Sequence, residues 1–182
     1  MKQQDFAALV AQDYNRIPVS REVLADLETP LSAYCKVAEG PYSYFFESVQ
    51  GGEQWGRYSM IGLPARTVLR ISGHQVDIRR DGVVVEQFTS DDPLAFVDAF
   101  RERYRVPERE HLPRFSGGLV GYFAYDTVRY VVKRLGAVVR PDPIGSLDIF
   151  LMVSDVPYRV FKNNLKAPAK AALALTLGVL AV

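Results

Sequence analysis

The chain has 182 residues, 48% of them hydrophobic and 24% charged. That length suits one large domain, or one domain with a dependent extension, and the composition excludes wholesale disorder, collagen-like repeats and a disulfide-rich mini-scaffold. With 22 Lys and Arg against 21 Asp and Glu, the formal charge of +1 sets up no strong field for nucleic acid or an anionic membrane, so ligand chemistry must be local. Cys35 is the single cysteine, which leaves no intramolecular disulfide and no cysteine-based structural zinc site and fits a reducing, cytoplasmic setting. The opening MKQQDFAALVAQDY carries neither the apolar run of a secretory signal nor the Arg-rich, acid-poor look of a transit peptide.

Taken in chain order, residues 3–12 place Phe6, Leu9 and Val10 on one helical face. The following YNRIPVSREVLAD has no clean period. In ETPLSAYCKVAEG, Thr29 is placed to cap a helix, Pro30 suits its first position and Gly40 can end it, with Leu31, Tyr34, Cys35 and Ala38 on a shared face. The aromatic, β-prone YSYFFESV and the later RYSMIGL flank the turn-like GGEQWG and read as paired strands. RTVLRIS, QVDIRR and VVVEQF follow at short spacing and predict a β-meander, its last two strands joined at Asp81-Gly82, a pair that tolerates positive φ. Asp92-Pro93 opens a helix over LAFVDAFRERY, with Leu94, Val97, Phe100 and Tyr104 at helical spacing. The stretch from Arg105 to Arg114 reads as a loop, FSGGLVGYFAYD as a buried strand needing close backbone approach, TVRYVVKRL as helix or strand, and LDIFLMVS as a further strand. The uncharged AALALTLGVLAV from Ala171 to Val182 is well short of the roughly 18–20 residues of a membrane span and reads as a buried segment or one lacking its partner. Clustered antiparallel strands with no fixed-period repeat favour an α+β fold over a doubly wound parallel sheet.

Most chemistry-bearing residues have a plainer reading. His74 and His111 lie far apart in predicted loops, with no spaced ligand cluster, and are better taken as solvated. GGLVGY fails the phosphate-loop spacing, so its glycines are structural, and GRYSMIG has the wrong spacing for a nucleophile elbow. Asp91 and Asp92 could begin a Mg²⁺ site but fit helix capping better. Arg101, Arg103, Arg105, Arg109 and Arg114, interleaved with Glu102, Glu108 and Glu110, describe a solvated surface. The exception is Glu47-Ser48, which closes the apolar run YFFES just before a glycine turn. A carboxylate beside a core strand needs a cation or several donors, so Glu47 serves either a ligand or an internal salt bridge to an arginine such as Arg57.

Three separated strings, YNRIPVSREVLADLETPLSAYCKV, YFFESVQGGEQWGRYSMIGLPARTVL and PRFSGGLVGYFAYDTVRYV, in this order and spacing, resemble the N-terminal region of anthranilate synthase component I. The resemblance covers roughly residues 5–154; GGLVGY alone is shared with the sibling aminodeoxychorismate synthase component I of folate synthesis. It implies an α+β region of antiparallel sheets with flanking helices, which contributes to a feedback site for L-tryptophan. YFFES stands at the family's Leu-Leu-Glu-Ser block, so the resemblance assigns Glu47 and Ser48 to tryptophan, with Arg57 or Ser59 of GRYS as further contacts. An amino-acid ligand offers an ammonium to the carboxylate, a carboxylate to hydroxyl or Arg donors, and an indole to apolar walls such as Phe45 and Phe46.

The resemblance further implies residues 1–154 as the regulatory domain and 155–182 as a divergent apolar tail. There the family's chorismate-binding region, which carries the Mg²⁺ ligands, would begin. On that expectation no catalytic or metal-binding residue is assigned here, the chain alone is inactive, and its isolated tryptophan site is weak or silent. A glutamine amidotransferase subunit (component II) is the partner that the resemblance implies. Val132 stands where the family's YDxVRYxE pattern has an acid, and the text after LDIFLMVSD drifts from the family. The competing readings are a fragment of aminodeoxychorismate synthase component I, and a non-catalytic interaction module whose apolar tail docks on another chain.

Overall fold

The structure, a computed structural model, describes residues 2–24, 27–47, 58–108, 115, 117–135, 142–155, 157–161 and 172–180. Its elements in chain order are α1 (Gln3–Ala11), β1 (Arg16–Leu24), α2 (Pro30–Val37), β2 (Tyr44–Glu47), β3 (Tyr58–Gly62), β4 (Thr67–Ser72), β5 (Gln75–Arg80) and β6 (Val83–Thr89). There follow α3 (Pro93–Glu102), β7 (Gly118–Phe123), the short α4 (Val128–Val131), β8 (Ile149–Ser154), β9 (Pro157–Phe161) and β10 (Ala172–Leu180). The strands form two five-stranded sheets, ordered β1-β10-β9-β3-β2 and β6-β5-β4-β8-β7, and every register pairing described is antiparallel. The fold is therefore α+β, as the clustering of strands predicts.

The chain divides into two compact units, the first comprising Met1–Ala65, Tyr104–Gly118 and Ser154–Val182, the second Arg66–Arg103 and Leu119–Val153. In the first unit, β1 pairs with β10 along its whole length, from Arg16 opposite Leu180 to Leu24 opposite Ala172. The segment without a clean period is thus an edge strand, the place in a sheet where Pro18 is tolerated because its missing N–H faces away from the ladder. The apolar end of the chain has strand partners on both sides, β1 and β9. Arg16 fixes the start of β1: its Nε donates to Asp155 at 3.0 Å, and its guanidinium lies 5.0 Å from the centre of the Tyr104 ring.

α2 begins as its sequence predicts, with the Thr29 hydroxyl accepting from the Ser32 N–H and the Ser32 hydroxyl accepting from the Thr29 N–H. Its packed face differs from the expected one. Ala33 and Ala38 are buried, with Tyr34 and Val37 against them, whereas Leu31 and Cys35 are exposed. Both sets recur at helical spacing, and periodicity alone does not choose between them.

The second unit is the predicted meander. Asp81 (φ 52°) and Gly82 (φ 82°) form the two-residue turn between β5 and β6. Register pairing puts Leu69, Ile71, Val76, Ile78, Ile149 and Leu151 on one sheet face, and all six are buried. α3 packs there through Phe96, whose ring lies 5.0 Å from Phe88 and 6.1 Å from the buried Phe100. Asp92 caps this helix, accepting from the N–H groups of Leu94 and Ala95 at 3.1 and 3.0 Å. β7 departs from the expected buried strand: it is the sheet edge, with Tyr122 and Phe123 about half exposed. The predicted close approach is present nonetheless, since a Cβ on Gly121 would lie 1.9 Å from the Phe150 carbonyl oxygen. TVRYVVKRL forms the single turn α4 flanked by 3₁₀ turns.

Candidate functional site

The β2–β3 hairpin brings two of the four candidate residues together. Glu47, the last residue of β2, stands directly opposite Ser59 on β3, so both lie on one sheet face with the preceding pair, Phe45 and Ile61. α2 covers this face: Ile61 is buried with Ala33 and Ala38, and Phe45 packs against that cluster. The Tyr34 ring stacks on Phe45 at 5.6 Å between centres, and its hydroxyl lies 3.0 Å from that of Ser43. Ser59 is fully buried, and its hydroxyl donates to Glu47 Oε1 at 3.5 Å. Ser48 and Arg57 lie outside the described residues.

Glu47 itself is exposed, which corrects the argument from burial. β2 is an edge strand, and the carboxylate reaches water. The buried polar group is the serine opposite it. The combination is an exposed carboxylate with a hydroxyl behind it and an aromatic pair beside it, the residue types that suit an ammonium on a ligand with an apolar body. Phe45 is committed to the α2 core, and Phe46, half exposed, alternates to the other face, where its ring lies 5.1 Å from Tyr44. Tyr44 is held in turn by Ser154, their hydroxyl oxygens 2.8 Å apart.

Among the described residues no group of three or more His, Cys, Asp or Glu side chains is placed to hold a metal ion. His74 lies in the β4–β5 turn with Nδ1 2.8 Å from the Ser90 carbonyl oxygen, while His111, Arg109, Glu110 and Arg114 are outside the described residues. Arg103 is more than a solvated charge: it pairs with Glu86 at 2.8 Å and covers the Phe96 and Phe100 rings.

One cluster is not visible in the sequence pattern. The Tyr130 hydroxyl donates to the Gly73 carbonyl and to Asp148 Oδ2, at 2.6 and 2.8 Å, and Asp148 Oδ2 also accepts from the Gly73 N–H at 2.6 Å. Burial, then the hydrogen bond and charge of Asp148, push the Tyr130 phenol well above the usual tyrosine range. The available signal is an acid immediately before the apolar β8 run, a position that demands donors.

These elements define, at the level of class, an α+β protein with two antiparallel sheets. No protein-family model matches the chain. Curated relatives do: it is 62% identical over 163 residues to anthranilate synthase component 1 of Pseudomonas aeruginosa, covering 90% of this chain and 33% of that protein. The protein of the same name from Neisseria meningitidis is 50% identical over 157 residues, covering 85% and 32%. The chain is therefore a homologue of anthranilate synthase component 1, and it spans about a third of the length of these relatives. A solved structure, anthranilate synthase component I from Streptococcus pneumoniae, matches with a TM-score of 0.45 at 20% identity over 78% of this chain and 28% of that one. No helix of the described residues is long and apolar enough to cross a membrane.

Proposed function

We propose that this chain is the N-terminal, regulatory portion of an anthranilate synthase component I of tryptophan biosynthesis. On this reading it works in the cytoplasm, and the enzyme it belongs to converts chorismate and ammonia to anthranilate and pyruvate with a glutamine amidotransferase subunit as partner. The observation that supports this most is the 62% identity over 90% of the chain to a protein of that name. The chain's own part is to hold L-tryptophan. Glu47 takes the ammonium, Ser48 and Arg57 supply donors toward the carboxylate, and Ser59 stands behind Glu47. Tryptophan bound there biases the enzyme against catalysis, with a coupling of about 1–3 kcal/mol typical of such effectors. Mg²⁺ and the reacting groups belong, on this reading, to the two-thirds of the relatives that this chain does not span, so the chain alone is inactive.

The test is to join this chain to the remaining two-thirds of the Pseudomonas aeruginosa relative and assay anthranilate formation from chorismate. The expected result is activity inhibited by L-tryptophan, with inhibition weakened roughly tenfold or more by Glu47→Ala or Ser48→Phe. Inhibition unchanged in both variants removes the assigned roles, and an inactive but folded fusion removes the enzyme reading. A second reading, a non-catalytic interaction module, draws support from the exposed aromatics of edge strand β7, Tyr122 and Phe123. It requires the purified chain to self-associate or capture a partner while leaving tryptophan unbound.

A further inference from the structure

We propose that one face of the second sheet, at a row centred on Arg70, docks the part of the relatives that this chain does not span, with Arg70 anchoring a carboxylate of that part. This inference rests on the enzyme reading above. Arg70 lies on β4, the central strand of its sheet, directly opposite Asp77 on β5 and Phe150 on β8. Gln87 on β6 stands opposite Asp77, and the Tyr122 ring of β7 lies 5.9 Å from that of Phe150. Directly paired residues share a sheet face, so one row of side chains crosses all five strands. It lies on the face turned away from the buried Leu69, Ile71, Val76 and Ile78. One step along the strands the facing pair Val68 and Met152 is buried, so the opening begins at the Arg70 row.

The row carries an unbalanced charge. Both carboxylate oxygens of Asp77 accept from Arg79, at 2.9 to 3.2 Å. Among the described residues no hydrogen bond or ion pair reaches Arg70, which is partly buried. Two guanidinium groups against one carboxylate leave the row net positive, and the rigid fork of an arginine is best met by a second carboxylate. Arg and aromatic side chains are also the residues enriched at the centres of protein interfaces. With strands about 4.8 Å apart, the row spans roughly 20 Å, far wider than a free anion and matched to a polypeptide surface. The relatives hold such a surface in reserve, since this chain covers only 33% and 32% of the two compared above.

The full chain and its fusion to the remaining two-thirds of the Pseudomonas aeruginosa relative are compared by hydroxyl-radical footprinting, with mass spectrometry reading the exposure of Tyr122. Tyr122 is 47% exposed in the chain and is expected to react roughly fivefold more slowly in the fusion. Arg70→Met keeps the apolar stem and removes the charge. It is expected to lower the melting temperature of the fusion by about 3 °C or more, to leave that of the chain alone within about 1 °C, and to return most of the Tyr122 reactivity. Tyr122 equally reactive in the chain and in a folded, active fusion overturns the proposal and leaves the enzyme reading intact. Anthranilate formation by the same fusion reports on the enzyme reading separately. Equal losses of melting temperature in chain and fusion mark Arg70 as internal to the chain, and no loss in either removes the anchor; both overturn the proposal. Tyr122 already protected in the chain alone, with a dimer in sedimentation, gives the face to a second copy and overturns it as well.

Discussion

The two sheets are built from similar strands by opposite routes. In the second unit β4, β5 and β6 are neighbours in sequence and in space, linked by turns as short as Asp81-Gly82. In the first unit β1 pairs with β10 and β3 with β9, joining segments from the two ends of the chain. Local pairing closes small loops, whereas pairing of distant segments closes long ones whose entropic cost grows slowly with length but must be met before any contact forms. Glu47 and Ser59 lie on β2 and β3, which are neighbours in sequence as well as in this sheet, so their mutual register does not depend on closing the distant pairings. A locally specified pair of functional groups inside a non-local sheet is what the comparison brings out.

The largest expected effects come from the glycine in each unit that lies against a neighbouring strand or ring. A Cβ at Gly121 would sit 1.9 Å from the Phe150 carbonyl oxygen and 2.9 Å from the Leu151 Cα, both backbone of β8, so relief requires β7 to separate. A Cβ at Gly62 would sit 1.9 Å from the Tyr44 ring, and a ring can turn aside. Gly121→Ala is expected to destabilise by about 3 kcal/mol and Gly62→Ala by about 2 kcal/mol in urea unfolding. Hydrogen exchange should localise the first loss to β7 and β8 and the second to β2 and β3. Equal losses, or exchange that accelerates in both sheets for either variant, would break the claim that the two units are locally distinct.

Tyr44 gives the next largest effect and shows why its ring is not freely movable. Its hydroxyl lies 2.8 Å from that of Ser154, and both residues are buried, at 7% and 4% exposure. Tyr44→Phe keeps the ring and removes the hydroxyl partner of a buried serine, so the expected loss is about 1.5 kcal/mol. The sharper outcome concerns Gly62: in the Tyr44→Phe background the ring is released, and Gly62→Ala should then destabilise less than it does alone. Strict additivity of the two changes would mean that the ring was never held by Ser154.

What can be read in the sequence follows the same division. The meander, its Asp81-Gly82 turn, the Asp92 cap and the Thr29 cap are each decided within a few residues, and the structure keeps all of them. The Glu47–Ser59 pairing is legible as two strands facing across a turn, because YFFES and RYSMIG both carry β-prone patterns. β1 is not legible, since Pro18, Arg21 and Glu22 interrupt its alternation and its partner lies at the far end of the chain. β7 misleads for a different reason: its apolar run indicates a strand, but only the strand order shows that it is an edge, and hence exposed. The expected burial of Glu47 fails in the same way, because β2 too is an edge strand. The packed face of α2 is set by its contacts with Ile61 and Phe45, which periodicity alone does not show.

The smallest expected effect is a pH dependence confined to the second unit. Tyr130 donates to Asp148 and to the Gly73 carbonyl, and burial together with the Asp148 carboxylate raises its phenol above the usual value of about 10. A raised acid holds its proton more tightly in the folded state, so the stabilisation is fully present below about pH 10 and is lost as pH rises through the folded value. The other tyrosines also titrate in alkali, so the quantity to measure is the difference in unfolding free energy between the parent chain and Tyr130→Phe, at about pH 8 and about pH 11. That difference should shrink at the higher pH. Tyr130 is partly open to solvent, which screens the interaction and makes the change smaller than that expected for Tyr44→Phe. A difference that stays constant across this range would mean that the protonated phenol does not hold the β4–β5 turn. The Gly73 contacts would then fall to Asp148 alone, and the second unit would owe that corner to its two-residue turn, a purely local device.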